Sequence, residues 1–280
     1  MIAERVRISE GAYLDTYVIE HSEYIQTGTE NTWQSQYRPS IIVCPGGGYR
    51  YIADSENEPV VFRYLAKGYS CFTLHYSINE ASCYPNPLKE LFLAIKYVRE
   101  NAKRYWIRPD AIVVSGFSAG GHLAALAATQ YHLGHVMKML KTDEFLHKPD
   151  AVILCYPIID VARMYNDCPD RLKTWGKMLY PYNQMANVID YVSDKMCPAF
   201  IWHTRTDGIV PCSQSLELIE KMHLSGVDYE AHIFGKGYHG LSTNDVLSNY
   251  QGAIMNGDIV PNVEKWVDMS SEWLNYRFEF

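Results

Sequence analysis

Short apolar runs alternate with longer amphipathic stretches along most of the chain. Residues 41–44, 111–114 and 151–155 are continuous runs of Ile, Val, Leu, Ala and Cys, which is typical of strands buried on both faces of a parallel sheet. Residues 87–102 instead repeat apolar residues every three or four positions, as an amphipathic helix does. The same two patterns predict strands at 69–76, 199–203 and 229–234 and helices at 55–67, 213–224 and 263–278. A Ser-x-x-Glu capping box at 55–58 is predicted to open the first of these helices.

Strands that alternate with helices predict an α/β fold with a mostly parallel central sheet flanked by helices. Two stretches depart from the alternation. Residues 5–8 and 13–19 carry β-formers on either side of a Glu-Gly turn, which predicts an antiparallel opening pair. Residues 156–197 mix Tyr, Trp, Met and Pro with charged residues, which predicts a lid-like insertion over the sheet. Because no internal repeat or low-complexity linker interrupts the pattern, residues 1–280 are predicted to form one domain.

Composition narrows the choice of partners and compartment. The net charge is −7 and no basic run occurs, which argues against nucleic acid or an anionic membrane surface as a partner. No stretch approaches the roughly 18 apolar residues of a membrane span, and the first residues lack the apolar core of a signal peptide. The seven cysteines are odd in number and lack Cys-x-x-Cys spacing, so we interpret them as reduced thiols. A soluble, cytoplasmic protein is therefore predicted.

A glycine-flanked serine lies between a predicted strand and a predicted helix. Residues 116–120 read Gly-Phe-Ser-Ala-Gly, directly after the apolar run at 111–114 and before an alanine-rich stretch. At such a strand-to-helix turn the serine hydroxyl is exposed, and a side chain on either glycine would clash with the neighbouring backbone. The amides at the beginning of the helix favour negative charge at this point. Ser118 is therefore the predicted nucleophile.

A serine nucleophile needs a base that accepts its proton and a third group that orients the base. Asp207 follows the predicted strand that ends at His203, and His239 follows the last predicted strand in a glycine-rich loop. Parallel sheets place their sites at these carboxyl ends of the strands. We therefore predict His239 as the base and Asp207 as the acid. Asp160, which follows the preceding strand, is the alternative acid.

The glycine run at 46–48 predicts a site for an oxyanion. Backbone amides must approach such an oxygen closely, and side chains would obstruct them. The amides of Gly47, Gly48 and Ala119 are the predicted donors, because in strand–turn–helix hydrolases one donor follows the nucleophile and another comes from an earlier loop. The alternative is a phosphate-binding loop, which we discount because neither Gly-x-Gly-x-x-Gly nor Gly-Lys-[Ser/Thr] follows.

Four motifs in this order resemble the α/β-hydrolase fold. Within that fold, the chain is similar to the esterase/lipase group related to hormone-sensitive lipase and to bacterial carbohydrate acetyl esterases. Residues 45–49 are similar to the His-Gly-Gly-Gly-[Phe/Tyr] oxyanion loop of the group, and residues 116–122 match its nucleophile turn. Residues 207–211 match its Asp-x-x-Val-Pro acid loop, and residues 238–240 its histidine loop. The likeness runs from about residue 41 to 245 and implies a serine esterase.

The sequence departs from this group at two places. Pro45 stands where the histidine of the oxyanion loop usually stands, which leaves the anchoring of that loop unexplained. The strand-like beginning of the chain also differs from the helical cap of the lipase members. This difference favours the carbohydrate-esterase side of the resemblance.

The predicted function is that of a serine carboxylic-ester hydrolase that acts through an acyl-enzyme on short-chain, acetyl esters of carbohydrates. The polar residues interleaved with aromatics in 156–197 suit a sugar, although an ordinary solvated insertion would have the same composition. The predicted partner is a small-molecule or oligosaccharide ester, without a metal or organic cofactor, and the sequence does not indicate an oligomeric state. The alternatives are a peptidase or amidase of the same fold and a non-catalytic binding protein that uses it.

Overall fold

A computed structural model describes residues 1–20, 37–248 and 260–280. In this part of the chain eight strands form one sheet in the order β1-β2-β4-β3-β5-β6-β7-β8. The first two strands pair antiparallel to their neighbours and the other pairs are parallel. The strands are β1 (Arg5–Arg7), β2 (Tyr13–Tyr17), β3 (Arg38–Cys44), β4 (Ser70–His75), β5 (Ile107–Phe117), β6 (Ala151–Cys155), β7 (Ala199–Thr204) and β8 (Tyr229–Phe234).

Helices cover both faces of this sheet. The α-helices in the described ranges are α1 (Glu58–Leu65), α2 (Asn86–Glu100), α3 (Ala119–Gln130), α4 (Gly134–Leu140), α5 (Glu144–His147), α6 (Val161–Asp167), α7 (Pro169–Leu172), α8 (Ser213–Leu224) and α9 (Trp266–Phe278). Apolar residues of α2, α3 and α8 pack in one core cluster, and those of α1 and α9 pack in a second. None of the described helices is long and apolar enough to cross a bilayer.

The position of β3 in the sheet explains why its residues 41–44 are all apolar. Ile42 and Cys44 belong to the core cluster of α2 and α3, whereas Ile41 and Val43 belong to the cluster of α1 and α9. Side chains of a strand alternate between faces, so a strand covered on both sides has no position where a polar residue reaches water. The predicted mostly parallel α/β sheet is confirmed, as is the antiparallel opening pair.

The predicted capping box at 55–58 is wrong. Residues Asp54–Glu56 form a 3-10 turn, and α1 begins only at Glu58, without a side-chain cap at its N-terminus. Glu58 instead accepts a hydrogen bond from the hydroxyl of Tyr17 at 3.2 Å. Glu56 is buried. The carboxylates of Glu56 and Glu58 therefore make tertiary contacts in place of the predicted helix cap.

The segment 156–197 contains α6, α7 and two 3-10 turns, and much of it packs into the core. Leu172, Met178 and Val188 are fully buried in the cluster that also holds α3. The Gly176 amide donates to the carbonyl of Gly48 at 2.7 Å, which ties the segment to the glycine-rich loop. It therefore borders the predicted site and also completes the core beneath it.

Candidate active site

Ser118 lies at the turn between β5 and α3 with a strained backbone, at φ 52° and ψ −114°. A non-glycine residue in this region costs energy that the surrounding structure must offset. A β-carbon on Gly116 would overlap the carbonyl of Gly120, and one on Gly120 would overlap the carbonyl of Cys44. Glycine at both positions therefore lets the turn close against β3 and presents the serine above the sheet.

A continuous chain of hydrogen bonds joins the three residues predicted as nucleophile, base and acid. Ser118 Oγ lies 2.7 Å from His239 Nε2, and His239 Nδ1 lies 2.7 Å from Asp207 Oδ2. A carboxylate can only accept, so Nδ1 carries the proton and Nε2 accepts from the serine hydroxyl. This is the tautomer in which an imidazole can take the serine proton.

Asp207 is held as an anion beneath the histidine. Its Oδ1 accepts from the amides of Ile209 at 2.8 Å and Val210 at 3.0 Å. Burial alone would raise the pKa of this carboxyl, but hydrogen bonds from His203 and His239, with the backbone amides, lower its pKa well below the usual value. The acid therefore stays ionised wherever the protein is folded near neutral pH.

His203 is a contact of Asp207 that the sequence pattern does not indicate, because the pattern places His203 only at the end of a strand. Its Nε2 lies 3.3 Å from Asp207 Oδ2 and 3.0 Å from the carbonyl of Val210, and its Nδ1 accepts from Ser215 Oγ at 2.8 Å. The signal available in the sequence was its place at the carboxyl end of β7, four residues before the acid. The alternative acid, Asp160, caps α6 by accepting from the Arg163 amide at 2.8 Å.

The glycine-rich loop lies directly against the nucleophile. A β-carbon on Gly46 would stand 3.0 Å from the β-carbon of Ser118, so only glycine allows this approach. Gly47 and Gly48 both adopt positive φ, at 115° and 61°, and both line the cavity at Ser118. Ala119 opens α3, where a helix leaves its first amides without intrahelical partners. Gly47 and Gly48 thus border the cavity at Ser118, and Ala119 follows Ser118 in the chain.

Other residues anchor this loop where Pro45 replaces the expected histidine. The carbonyl of Pro45 accepts from the hydroxyl of Tyr76 at 2.5 Å. The Gly46 amide donates to the buried carboxylate of Glu56 at 2.7 Å. The loop is therefore fixed by a tyrosine hydroxyl and a carboxylate from outside it, neither of which the sequence interpretation identified.

The far end of the loop is bound to the helix that follows the nucleophile. Tyr49 donates to Nδ1 of His122 at 2.8 Å, and Nε2 of His122 donates to the carbonyl of Ala186 at 2.7 Å. Burial lowers the pKa of His122 to about 4, although the Ala186 carbonyl acts in the opposite direction. His122 is thus a neutral link between the loop, α3 and the 156–197 segment.

A cavity of about 410 Å³ opens over Ser118 and His239. Its lining combines backbone of the glycine-rich loop with polar and aromatic side chains: Gly47, Gly48, Arg50, Tyr51, Ala53, Ser55, Glu56, Ser118, Thr174, Trp175, Ile209, His239 and Gly240. A larger cavity, of about 570 Å³, is lined by other residues, from β1, β2, β4 and α1 among others. Within the described ranges, no group of three or more His, Cys, Asp or Glu side chains is placed to hold a metal ion. A nucleophile, a base and clustered amides suit acyl transfer.

Residues 29–222, more than half of the chain, match the BD-FAE family. The match includes Ser118 and Asp207 and ends before His239. Among curated proteins the chain is similar to endo-1,4-beta-xylanase B of Butyrivibrio fibrisolvens, at 28% identity over 77% of this chain and 34% of that protein. Other curated relatives are esterases, one of them an acetylxylan esterase. The chain spans about a third to a half of the length of these curated relatives.

Solved structures match over nearly their whole length. MGS-M1, an α/β hydrolase enzyme from a Medee basin deep-sea metagenome library, is 30% identical with a TM-score of 0.78, covering 100% of this chain and 99% of that chain. The acetyl ester-xyloside bifunctional hydrolase of Caldicellulosiruptor lactoaceticus is 29% identical with a TM-score of 0.77, covering 98% and 96%. The chain therefore belongs to the BD-FAE family, and it is an α/β hydrolase of the group that includes the hormone-sensitive-lipase-like and carbohydrate esterases.

Proposed function

We propose that this chain is a serine esterase that removes acetyl groups from carbohydrates through an acyl-enzyme. The observation that carries the proposal is the hydrogen-bonded series Ser118, His239 and Asp207 at the base of a cavity bordered by glycine amides. Similar proteins named for ester and xyloside hydrolysis support the choice of ester and sugar.

In the first half of the reaction His239 Nε2 takes the proton of Ser118 as Oγ attacks the ester carbonyl carbon. The carbonyl oxygen becomes an oxyanion that the amides of Gly47, Gly48 and Ala119 stabilise. When the tetrahedral species collapses, the bond to the alcohol breaks and His239 returns its proton to the leaving oxygen. The acyl group is then an ester of Ser118.

In the second half water replaces the alcohol. His239 accepts a proton from water as the water oxygen attacks the acyl carbon, and the same amides hold the second oxyanion. Collapse returns the proton to Ser118 Oγ and releases a carboxylic acid. Throughout, Asp207 accepts from Nδ1 and stabilises the imidazolium without being protonated itself.

The lining of the cavity favours a short acyl group. Among the described lining residues, Ile209 is the one aliphatic side chain larger than alanine. A long acyl chain gains about 0.8 kcal/mol for each buried CH₂ only where apolar surface receives it. Apart from Ile209 and the rings of Tyr51 and Trp175, such surface is scarce around Ser118, so little binding energy is available beyond the first carbons of an acyl chain.

Aromatic and polar groups at the mouth favour a sugar as the alcohol. The Trp175 ring lies against Gly48, where a β-carbon would stand 3.0 Å from it, and Tyr51 is 61% exposed beside it. Arg50 and Thr174 line the same cavity and offer hydrogen bonds. A pyranose presents hydroxyls to such donors and a C–H face to such rings.

The test compares acyl lengths and sugar esters. We expect kcat/KM to fall from p-nitrophenyl acetate and butyrate to octanoate and laurate, with acetate released from acetylated xylo-oligosaccharides. Ser118→Ala is the matched control and should lose about a million-fold in kcat. A maximum at octanoate or longer, with no acetate from the sugars, would contradict the carbohydrate-esterase proposal. Full activity of Ser118→Ala would contradict the serine mechanism itself.

The sugar-facing role of Trp175 has its own test. Trp175→Ala should raise KM for an acetylated xylo-oligosaccharide about three- to tenfold, since ring contacts of this kind contribute about 1 kcal/mol. Hydrolysis of ethyl acetate, which has no ring to stack, should change little. Tyr182→Ala removes another exposed aromatic of the same segment, one that does not line the cavity, and should change neither. Equal losses on both substrates would show that Trp175 only supports the fold.

A further inference from the structure

A buried carboxylate lies between the two loops that the proposed reaction uses. Glu56 is 3% exposed. In the part of the chain that the structure describes it forms no ion pair within 4.0 Å, and His239 acts on its charge from a greater distance. A carboxylate without a cation is costly to bury unless donors compensate it. The stability of the fold does not by itself explain an acidic residue at this position.

The donors to Glu56 come from different parts of the site. The Gly46 amide donates to Oε2 at 2.7 Å, and the Tyr156 hydroxyl donates to Oε1 at 2.7 Å. The Ser242 amide in turn donates to the Tyr156 hydroxyl at 3.0 Å. Through these bonds the carboxylate joins the glycine-rich loop to the loop that follows His239.

The bonds also oppose the effect of burial on the charge of the group. Burial raises the pKa of Glu56, and the hydrogen bonds from Tyr156 and Gly46, together with the nearby His239, offset only part of that rise. Both carboxylate oxygens face donors, an arrangement that suits the ionised form. The two acceptor oxygens of Glu56 therefore orient an amide and a hydroxyl.

The Tyr156 ring connects Glu56 to His239, the proposed base. It packs edge-on against the ring of His239, with centroids 5.0 Å apart. On the other side, Gly46 lies so near Ser118 that an added β-carbon would stand 3.0 Å from the β-carbon of Ser118, and the proposed oxyanion donors follow it directly in the chain. A rotation of either loop would therefore misplace the amides relative to the base.

We infer that Glu56 is a positioning residue that holds the oxyanion amides of Gly47 and Gly48 in register with His239, in the place left by the missing loop histidine at Pro45. The inference rests on the proposed serine-esterase function. Donors to an oxyanion act on the transition state, so losing their alignment lowers kcat while KM stays nearly constant. A residue that only supported the fold would lower the melting temperature and the fraction of active molecules.

The experiment measures kcat and KM on p-nitrophenyl acetate, with active sites counted by fluorophosphonate titration, well below the melting temperature of each variant. Loss of one direct oxyanion donor costs about 10²–10³ in kcat, so for Glu56→Ala we expect a loss of about 10–100-fold per titrated site. Glu56→Gln should recover most of this, because its amide oxygen still accepts from Gly46. Glu58→Ala, which removes an exposed carboxylate two residues away, is the matched control and should resemble the wild type.

Tyr156→Phe keeps the ring against His239 and removes only the hydroxyl, so it tests the link even where Glu56→Ala fails to fold. We expect about a tenfold loss of kcat per site with KM unchanged within about threefold. Wild-type kcat per site in Tyr156→Phe and in every folded Glu56 variant, whatever their melting temperatures, would overturn the inference. If Ser118→Ala were fully active, the proposed function would fail instead, so the two failures are distinguishable.

Discussion

The buried, neutral His122, which links the glycine-rich loop to α3, predicts that stability depends on pH. His122 is fully buried in α3, and it accepts from Tyr49 while donating to the carbonyl of Ala186. Only the neutral imidazole can make both bonds, because the cation has no acceptor atom. Protonation would therefore force the Tyr49 hydroxyl to accept from Nδ1 and would leave a charge inside the core.

The size of the effect follows from the two pKa values. The unfolded chain titrates at about 6.5, and burial lowers the pKa of His122 to about 4 in the folded protein. Between these values the unfolded state binds a proton that the folded state excludes, so the free energy of unfolding falls as the pH falls. At about 1.4 kcal/mol for each unit, the loss reaches about 2 kcal/mol by pH 5 and about 3 kcal/mol in full.

Urea unfolding at pH 7.5 and pH 5.0, followed by tryptophan fluorescence, measures this loss. Since other groups also titrate in this range, the quantity to compare is the difference between wild type and His122→Gln. Wild type should lose about 2 kcal/mol more than the variant between the two pH values. His223→Gln, on the exposed side of α8, should behave as wild type. Equal losses in wild type and His122→Gln would refute the reasoning, since His122 would then carry no excluded proton.

Two further predictions concern the acid and the nucleophile turn. Asp207→Asn should lower kcat by about 10⁴, as the wrong imidazole tautomer does in a known triad. Asp160→Asn should keep most activity, because Asp160 only caps α6. The reverse ranking of the two variants in steady-state assays would reassign the acid. Gly120→Ala should unfold the protein or cost several kcal/mol in urea unfolding, because its β-carbon would overlap backbone of β3. Gly134→Ala, with nothing within 4 Å of the added carbon, should be nearly neutral, and equal effects would count against the overlap.

Local sequence was enough to predict the strands and the strand-to-helix turn at Ser118. The apolar run 41–44 has to be a strand covered on both faces, because its alternate side chains enter two different core clusters. The glycines around Ser118 are required by backbone contacts a few residues away or on the neighbouring strand. Asp207 and His239 could be proposed because loops after parallel strands meet at one edge of the sheet. In each case the physical constraint acts on a short piece of chain.

The contacts that complete the site act over long separations. The Tyr156 hydroxyl and Glu56 are 100 residues apart, and the Ser242 amide lies a further 86 residues along the chain from Tyr156. The periodicity of apolar residues does not indicate contacts over such separations, and the local pattern at 55–58 predicts a helix cap instead. The same limit applies to His203. Its local sequence places it in a strand, and only the fold brings it beside Asp207.

The replacement at Pro45 shows how these two kinds of information combine. From sequence alone the missing histidine left the oxyanion loop without an anchor, although the glycines themselves were in place. The loop is nevertheless fixed at its first amide by Glu56 and at its carbonyl by Tyr76, and both partners come from outside the motif. The glycine motif therefore determines the conformation of the loop backbone. The side chains that hold this backbone in place come from distant parts of the chain and are brought to it by the fold. Burying a carboxylate that forms no ion pair is costly unless donors compensate it, and the donors to Glu56 are groups of the loops around Ser118 and His239.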